Sequence, residues 1–159
     1  MKKRKLKKIN WKILIISLVI VYSVAFIGSL FTSQSTSSTW YQQIKPSITP
    51  PNWIFPIVWN ILFLLIGLSL YLSWISSNIK EKQKVAIAFG INFVLNILWS
   101  ILYFGFRNTL FAFYEIIFLI ISIASMIYVT YKIDKKSAYL LIPYLLWVCF
   151  ASILNFLSI

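Results

Sequence analysis

Five uninterrupted apolar runs, each about twenty residues or longer, leave this chain few ways to fold. They extend from about Trp11 to Phe31, Trp53 to Ile75, Val85 to Phe104, Thr109 to Tyr131 and Ala138 to Ile159. A helix rising about 1.5 Å per residue crosses a hydrocarbon core about 30 Å thick with roughly 20 residues, so each run has the length of one span. A membrane barrel would alternate polar and apolar residues along each strand, whereas these runs are apolar throughout. Of the 159 residues, 60% are hydrophobic and 11% charged, too few charges to cover a water-facing surface. The predicted fold is therefore all-α, a bundle of five transmembrane helices. It forms one integral membrane domain over residues 1–159, with a basic tail at 1–10 and an external loop at 32–52.

The basic residues predict the orientation. The tail and Lys12 carry seven, the loop after the second run carries Lys80, Lys82 and Lys84, and the loop after the fourth carries Lys132, Lys135 and Lys136. The other two loops carry one each, Lys45 and Arg107. Because Lys and Arg accumulate on the cytoplasmic side, the N-terminus is placed inside and the C-terminus and the 32–52 loop outside. The run behind the tail is longer than a signal-peptide core and has no clear cleavage site. The tail is read as a topology anchor on anionic headgroups rather than a nucleic-acid arm. Scarce Gly and abundant Ile, Lys and Asn fit a bacterial cell membrane.

Polar groups inside spans are costly and need a reason. The third run places Asn92, Asn96 and Trp99 on one helix face, the second Pro56, Trp59 and Phe63, and the fifth Pro143, Trp147 and Ala151, with Asn155 a turn further. Together they suit either interhelical packing or a cavity for a flat, largely apolar ligand. Trp11, Trp53 and Trp74 lie at span ends and read as interface anchors. Glu115 is the one acid inside a span. It is expected to pair with Arg107, to be protonated, or to hydrogen-bond to a neighbouring helix. The chain has no His and one cysteine, Cys149, and its acids Glu81, Glu115 and Asp134 are scattered. No metal site, required cofactor or ordinary catalytic set is expected. Ala86 and Gly90 form a small-xxx-small pair that would let two helices approach closely.

The stretch Trp40-Tyr41-Gln42-Gln43-Ile44-Lys45-Pro46, then Pro50-Pro51-Asn52-Trp53 and Val58-Trp59, closely resembles the signature of the TspO family, also called the translocator protein or peripheral-type benzodiazepine receptor family. Asn96-Ile97-Leu98-Trp99-Ser100 is similar to the family's third-helix motif, and Pro143-Tyr144-Leu145-Leu146-Trp147 with Phe150-Ala151 and Leu154-Asn155 to its fifth-helix motif. Gly28-Ser29 matches the end of its first helix. The resemblance implies a five-helix bundle, usually a homodimer. It also implies binding of porphyrins and other tetrapyrroles, or of synthetic isoquinoline carboxamide and benzodiazepine-type ligands, in a pocket lidded by the first loop. It assigns to that pocket Trp40, Tyr41 and Pro50 from the lid, Trp59 and Phe63 from the second helix, Asn96 and Trp99 from the third, and Trp147, Ala151 and Leu154 from the fifth. Some bacterial relatives degrade protoporphyrin in light and oxygen, which would make Trp59 and Trp147 the reacting pair.

Three departures stand out. The Trp-Tyr to Lys-Pro spacing is one residue short, the tail is long, and Phe156-Leu157-Ser158-Ile159 lacks the Tyr and basic residue of a sterol-recognition pattern, which argues against sterol binding. The propionates of a bound porphyrin would be expected at the rim beside Lys45 and Arg107. The rival readings are a photo-oxidative porphyrin-degrading enzyme and a transporter or stress sensor. For a transporter, the chain shows no inverted repeat and no pair of broken helices.

Overall fold

Most of the helices start where a side chain satisfies an open backbone N–H group. The computed structural model describes residues 9–159, apart from the side chain of Gln34. The basic-tail reading therefore lies mostly outside the described residues. Asn10 accepts a bond from the Ile13 amide and opens α1, Trp11–Ser35. Ser38 caps the short α2, Thr39–Ile44. Then come α3, Ile54–Ser76, and α4, Ile79–Ser100, which runs into a π-helical turn at Ile101–Gly105. Asn108 caps α5, Thr109–Ile133. Asp134 caps α6, Lys135–Tyr139, which precedes α7, Ile142–Phe156. Helices α3 and α7 start without such a cap.

The described residues contain five helices, or helix pairs in line, that are long and apolar enough to cross a membrane. Their limits depart from the apolar runs for local reasons. The third begins at Ile79, ahead of the run, because Asn78 and Glu81 cap each other's backbone amides at 3.0 and 2.8 Å. The fifth begins at Lys135 and breaks at Leu140–Leu141, before Pro143, which lacks an N–H and crowds the carbonyl of Tyr139. The predicted 32–52 loop is partly helical. Helix α1 runs beyond Phe31 to Ser35, where the Thr32 and Ser35 hydroxyls fold back on the carbonyls of Gly28 and Phe31 and so need no outside partner.

Around the bundle, α1 touches both α3 and α4, α5 touches α4 and α7, and α3 meets α7 only briefly. The half remote from α2 is solid. Val85, Phe89, Ile123, Met126 and Leu141 are fully buried there. Its polar groups are paired. Ser137 donates to the carbonyl of Ser69 at 2.8 Å, which ties α6 to α3, and Thr130 donates to Met126 at 2.7 Å. Gly67 lets α1 and α3 approach closely, since a Cβ there would lie 2.7 Å from Leu18 Cδ2.

Candidate ligand-binding cavity

The half beside α2 is hollow. Aromatic side chains there are too stiff and bulky to close on one another. Trp59 stacks on Phe63 at 5.3 Å and meets Tyr144 edge-on at 6.2 Å. Trp147 lies 5.8 Å from Phe55. Trp99 stacks on Tyr103 at 5.1 Å, and its indole N–H donates to Asn155 Oδ1 at 3.1 Å. These rings surround a cavity of about 590 Å³, within the range typical of small-molecule sites.

Eight of the ten residues predicted for a pocket line this space: Tyr41, Trp59, Phe63, Asn96, Trp99, Trp147, Ala151 and Leu154. Trp40 and Pro50 do not. Trp40 is taken up on the far side of the lid helix, edge-on to Tyr103 at 5.9 Å and beneath the Arg107 guanidinium at 5.7 Å. Pro50 lies beside Thr49 in chain without regular structure, just after the turn that the Thr49 amide closes on the Pro46 carbonyl. Thr49 is the one that lines the cavity.

The lid is held by α4's distorted end. Widened hydrogen bonding at Ile101–Gly105, where the Phe106 amide donates to Ile101, turns Tyr103 and Phe104 toward α2. Tyr41 packs on Phe104 at 5.9 Å, and Ser35 donates to the Phe104 carbonyl at 3.4 Å. Burial, helped by the nearby Tyr103, pushes the Tyr41 phenol up to about 12, so it is neutral near pH 7. Arg107 follows at φ 54°, in the left-handed region, and its side chain folds back over Trp40.

The packing and lining alternatives for the amides divide by residue. Asn92 belongs to packing, donating to Ser122 at 2.9 Å and accepting from the Tyr144 hydroxyl at 3.3 Å. Asn96 does both. It lines the cavity while donating to Tyr144 at 3.0 Å, so the α4–α7 contact fixes its orientation. Pro143 is exposed and shapes the start of α7 instead.

None of the lining residues is charged. Lys45 and Arg107 were expected at the rim, but neither lines the cavity, because Arg107 is spent on Trp40 and Lys45 closes α2. Glu115 is buried in α5 away from the cavity, with no hydrogen-bond partner for either oxygen among the described residues. The expected partnership with Arg107 does not form.

One wall of the cavity, formed by α1, carries none of the predicted residues. Ala25, Gly28, Ser29 and Thr32 of α1, and Thr36 just past its end, line the cavity at helical intervals. The signal was a stripe of small and hydroxyl side chains on an otherwise bulky span. Gly28 leaves a gap there, its missing Cβ 3.5 Å from Ser100 Oγ.

The model of the TspO/MBR family matches residues 16–158. The chain belongs to this family. It is 42% identical to the tryptophan-rich protein TspO of Archaeoglobus fulgidus, over 90% of this chain and 92% of that one. It is 37% identical to the tryptophan-rich protein TspO of Chlorobaculum tepidum, over 92% and 95%. It is also 30% identical to the human translocator protein, over 82% and 79%. Like other TspO/MBR proteins it is a multi-pass membrane protein, and the cavity lies wholly within the matched residues.

Proposed function

We propose that this protein binds a flat tetrapyrrole such as a porphyrin in the lid-end cavity. The observation that carries it is an uncharged space of about 590 Å³ walled by the indoles of Trp59, Trp99 and Trp147. Indole faces offer stacking surface to a conjugated ring, and a few amides and hydroxyls orient it. Isoquinoline carboxamide and benzodiazepine-type compounds, which are smaller and also flat, would fit the same walls. A porphyrin's carboxylates would stay outside, because burying them without a cation is too costly. The lysine-rich connections favour placing the end opposite the lid in the cytoplasm of a bacterial cell.

Titration with protoporphyrin in detergent tests the proposal. Tryptophan emission is expected to fall saturably, and Trp59→Phe with Trp147→Phe to weaken the effect. Emission indifferent to porphyrin would contradict it. The presence of both Trp59 and Trp147 on one cavity favours a second reading, light-driven porphyrin oxidation. Illumination in air separates the two: a new product band means degradation, and bleaching at the rate of free porphyrin means binding alone.

We also propose that two copies pair through α4. Ala86, Gly90, Ile91 and Val94 line an apolar surface groove, and nothing lies within 4 Å of the missing Gly90 Cβ. Gly90→Ile is expected to turn a dimer into a monomer on size analysis. An unchanged mass would contradict this interface.

A further inference from the structure

The walls of the cavity differ in exposure. Residues contributed by α4, the π-helical turn and α7 are buried, as Asn96, Ser100, Phe104 and Leu154, or half-buried, as Trp99, Trp147 and Ala151. Along the seam between α1 and α3, lining residues are exposed instead. On α1 these are Tyr22, Phe26, Ser29 and Ser33, whose spacing keeps them on one face. Opposite them are Asn52, Pro56 and Asn60.

Hydrogen bonds close the seam at its two ends. The Tyr22 hydroxyl donates to the Asn60 carbonyl at 3.3 Å, and Asn52 Nδ2 donates to the Thr36 carbonyl at 3.3 Å. Between these bridges the cavity is open sideways over roughly 16 Å, from the rise per residue between Tyr22 and Ser33. Tyr22 and Asn60 both lie inside membrane-spanning helices, so the lower part of the opening faces lipid. Ser and Asn at lipid-facing positions are costly. Elsewhere such positions mostly carry large apolar residues such as Phe118, Ile121 and Val94, with Ser23 and Ser125 as isolated exceptions. Among the described residues, only along this seam do a hydroxyl and an amide meet across a cavity opening. Ser29 is tied to its own helix by a bond to the Phe26 carbonyl at 2.7 Å, and Asn60 by one to Pro56 at 2.9 Å. Hydroxyl and amide groups have capacity for more than one bond.

We infer that this slit is the mouth through which the cavity fills from the bilayer. Its polar edges form a subsite for the hydrogen-bonding rim of a flat amphiphile whose ring lies on Trp59. This rests on the proposal that the cavity binds such a ring, and it narrows the ligand class. A membrane-dissolved ring with donors and acceptors along one edge is held, while a bare hydrocarbon ring gains nothing from the slit. A porphyrin's acidic edge would remain at the lid end of the mouth, by Ser33 and Asn52 at and beyond the ends of the spans, because a carboxylate in lipid is as costly as a buried one, and its macrocycle would go inside.

The test uses the protein in liposomes with two probes, protoporphyrin and pyrene, read by tryptophan emission. Ser29→Val and Asn60→Leu remove the polar edge at exposed positions. Each is expected to weaken protoporphyrin about fivefold, the worth of one neutral hydrogen bond, and to leave pyrene unchanged. Tyr22→Phe keeps the ring, unties the lower bridge and is expected to speed protoporphyrin association. Equal loss for both probes would overturn the inference, as would unchanged protoporphyrin affinity in both edge variants while the wild type binds saturably. Wild-type protein that binds neither probe would instead remove the cavity proposal itself.

Discussion

The two halves of the bundle are built from the same apolar alphabet and pack in opposite ways. Away from the lid, aliphatic side chains with Phe89 and Met126 are fully buried among α3, α4, α5 and α6, and buried hydroxyls bond back to their own helices or across to a neighbour. Beside the lid, indoles and phenyl rings prop the helices apart around an empty space. Hydrophobicity alone therefore does not decide between core and cavity in a membrane bundle, because lipid outside is as apolar as the interior. Side-chain shape and spare hydrogen-bonding capacity decide it.

This contrast can be broken by substitution. The largest effect is expected from Met126→Ala in the solid half, which leaves an unfilled hole and should cost about 2–5 kcal/mol, read as a lowered melting midpoint in detergent. Phe63→Ala only widens space that already exists, so its midpoint should fall by clearly less. Equal losses at the two sites would mean that the lid half is packed as tightly as the other. Next comes Trp59→Ala. Removal of a stacking surface is expected to weaken protoporphyrin by about 1–3 kcal/mol, by analogy with base–aromatic stacking, in an equilibrium titration. Asn92→Leu should cost about 1 kcal/mol of stability or somewhat less, the size of interhelical hydrogen bonds in membranes, read as a slightly lowered melting midpoint without a separate loss of ligand. Asn96→Leu should lose both. The smallest effect concerns the glycines. Gly67→Ala forces Leu18 aside and should destabilise slightly, whereas Gly28→Ala meets Ser100 at ordinary contact distance and should be neutral in melting while narrowing the cavity.

The spans were legible because an apolar run of this length has one physical meaning. Their ends were less so. Ile79 and Lys135 start helices among charged residues, where capping by Asn78 and Asp134 outweighs hydropathy. Glu81 and Asp134, which looked merely scattered, are the capping acids. The cavity was legible on α3, α4 and α7, where large aromatic and amide residues recur at helical spacing. On α1 the lining is made by what is missing, as at Gly28, and a small side chain announces no direction. The positions of Trp40 and Pro50 depended on how α2 docks on the π-helical turn, a tertiary contact with no periodic mark in the sequence.

The most direct test of a hollow, ligand-holding lid half is an experimental structure of the protein with protoporphyrin. The expected result is a planar density between the α3 and α7 walls, in contact with Trp59 and Trp147, with its acidic edge at the α1–α3 seam. Porphyrin bound only on the outer surface of the bundle, over a lid half closed by inward collapse of those indoles, would contradict it.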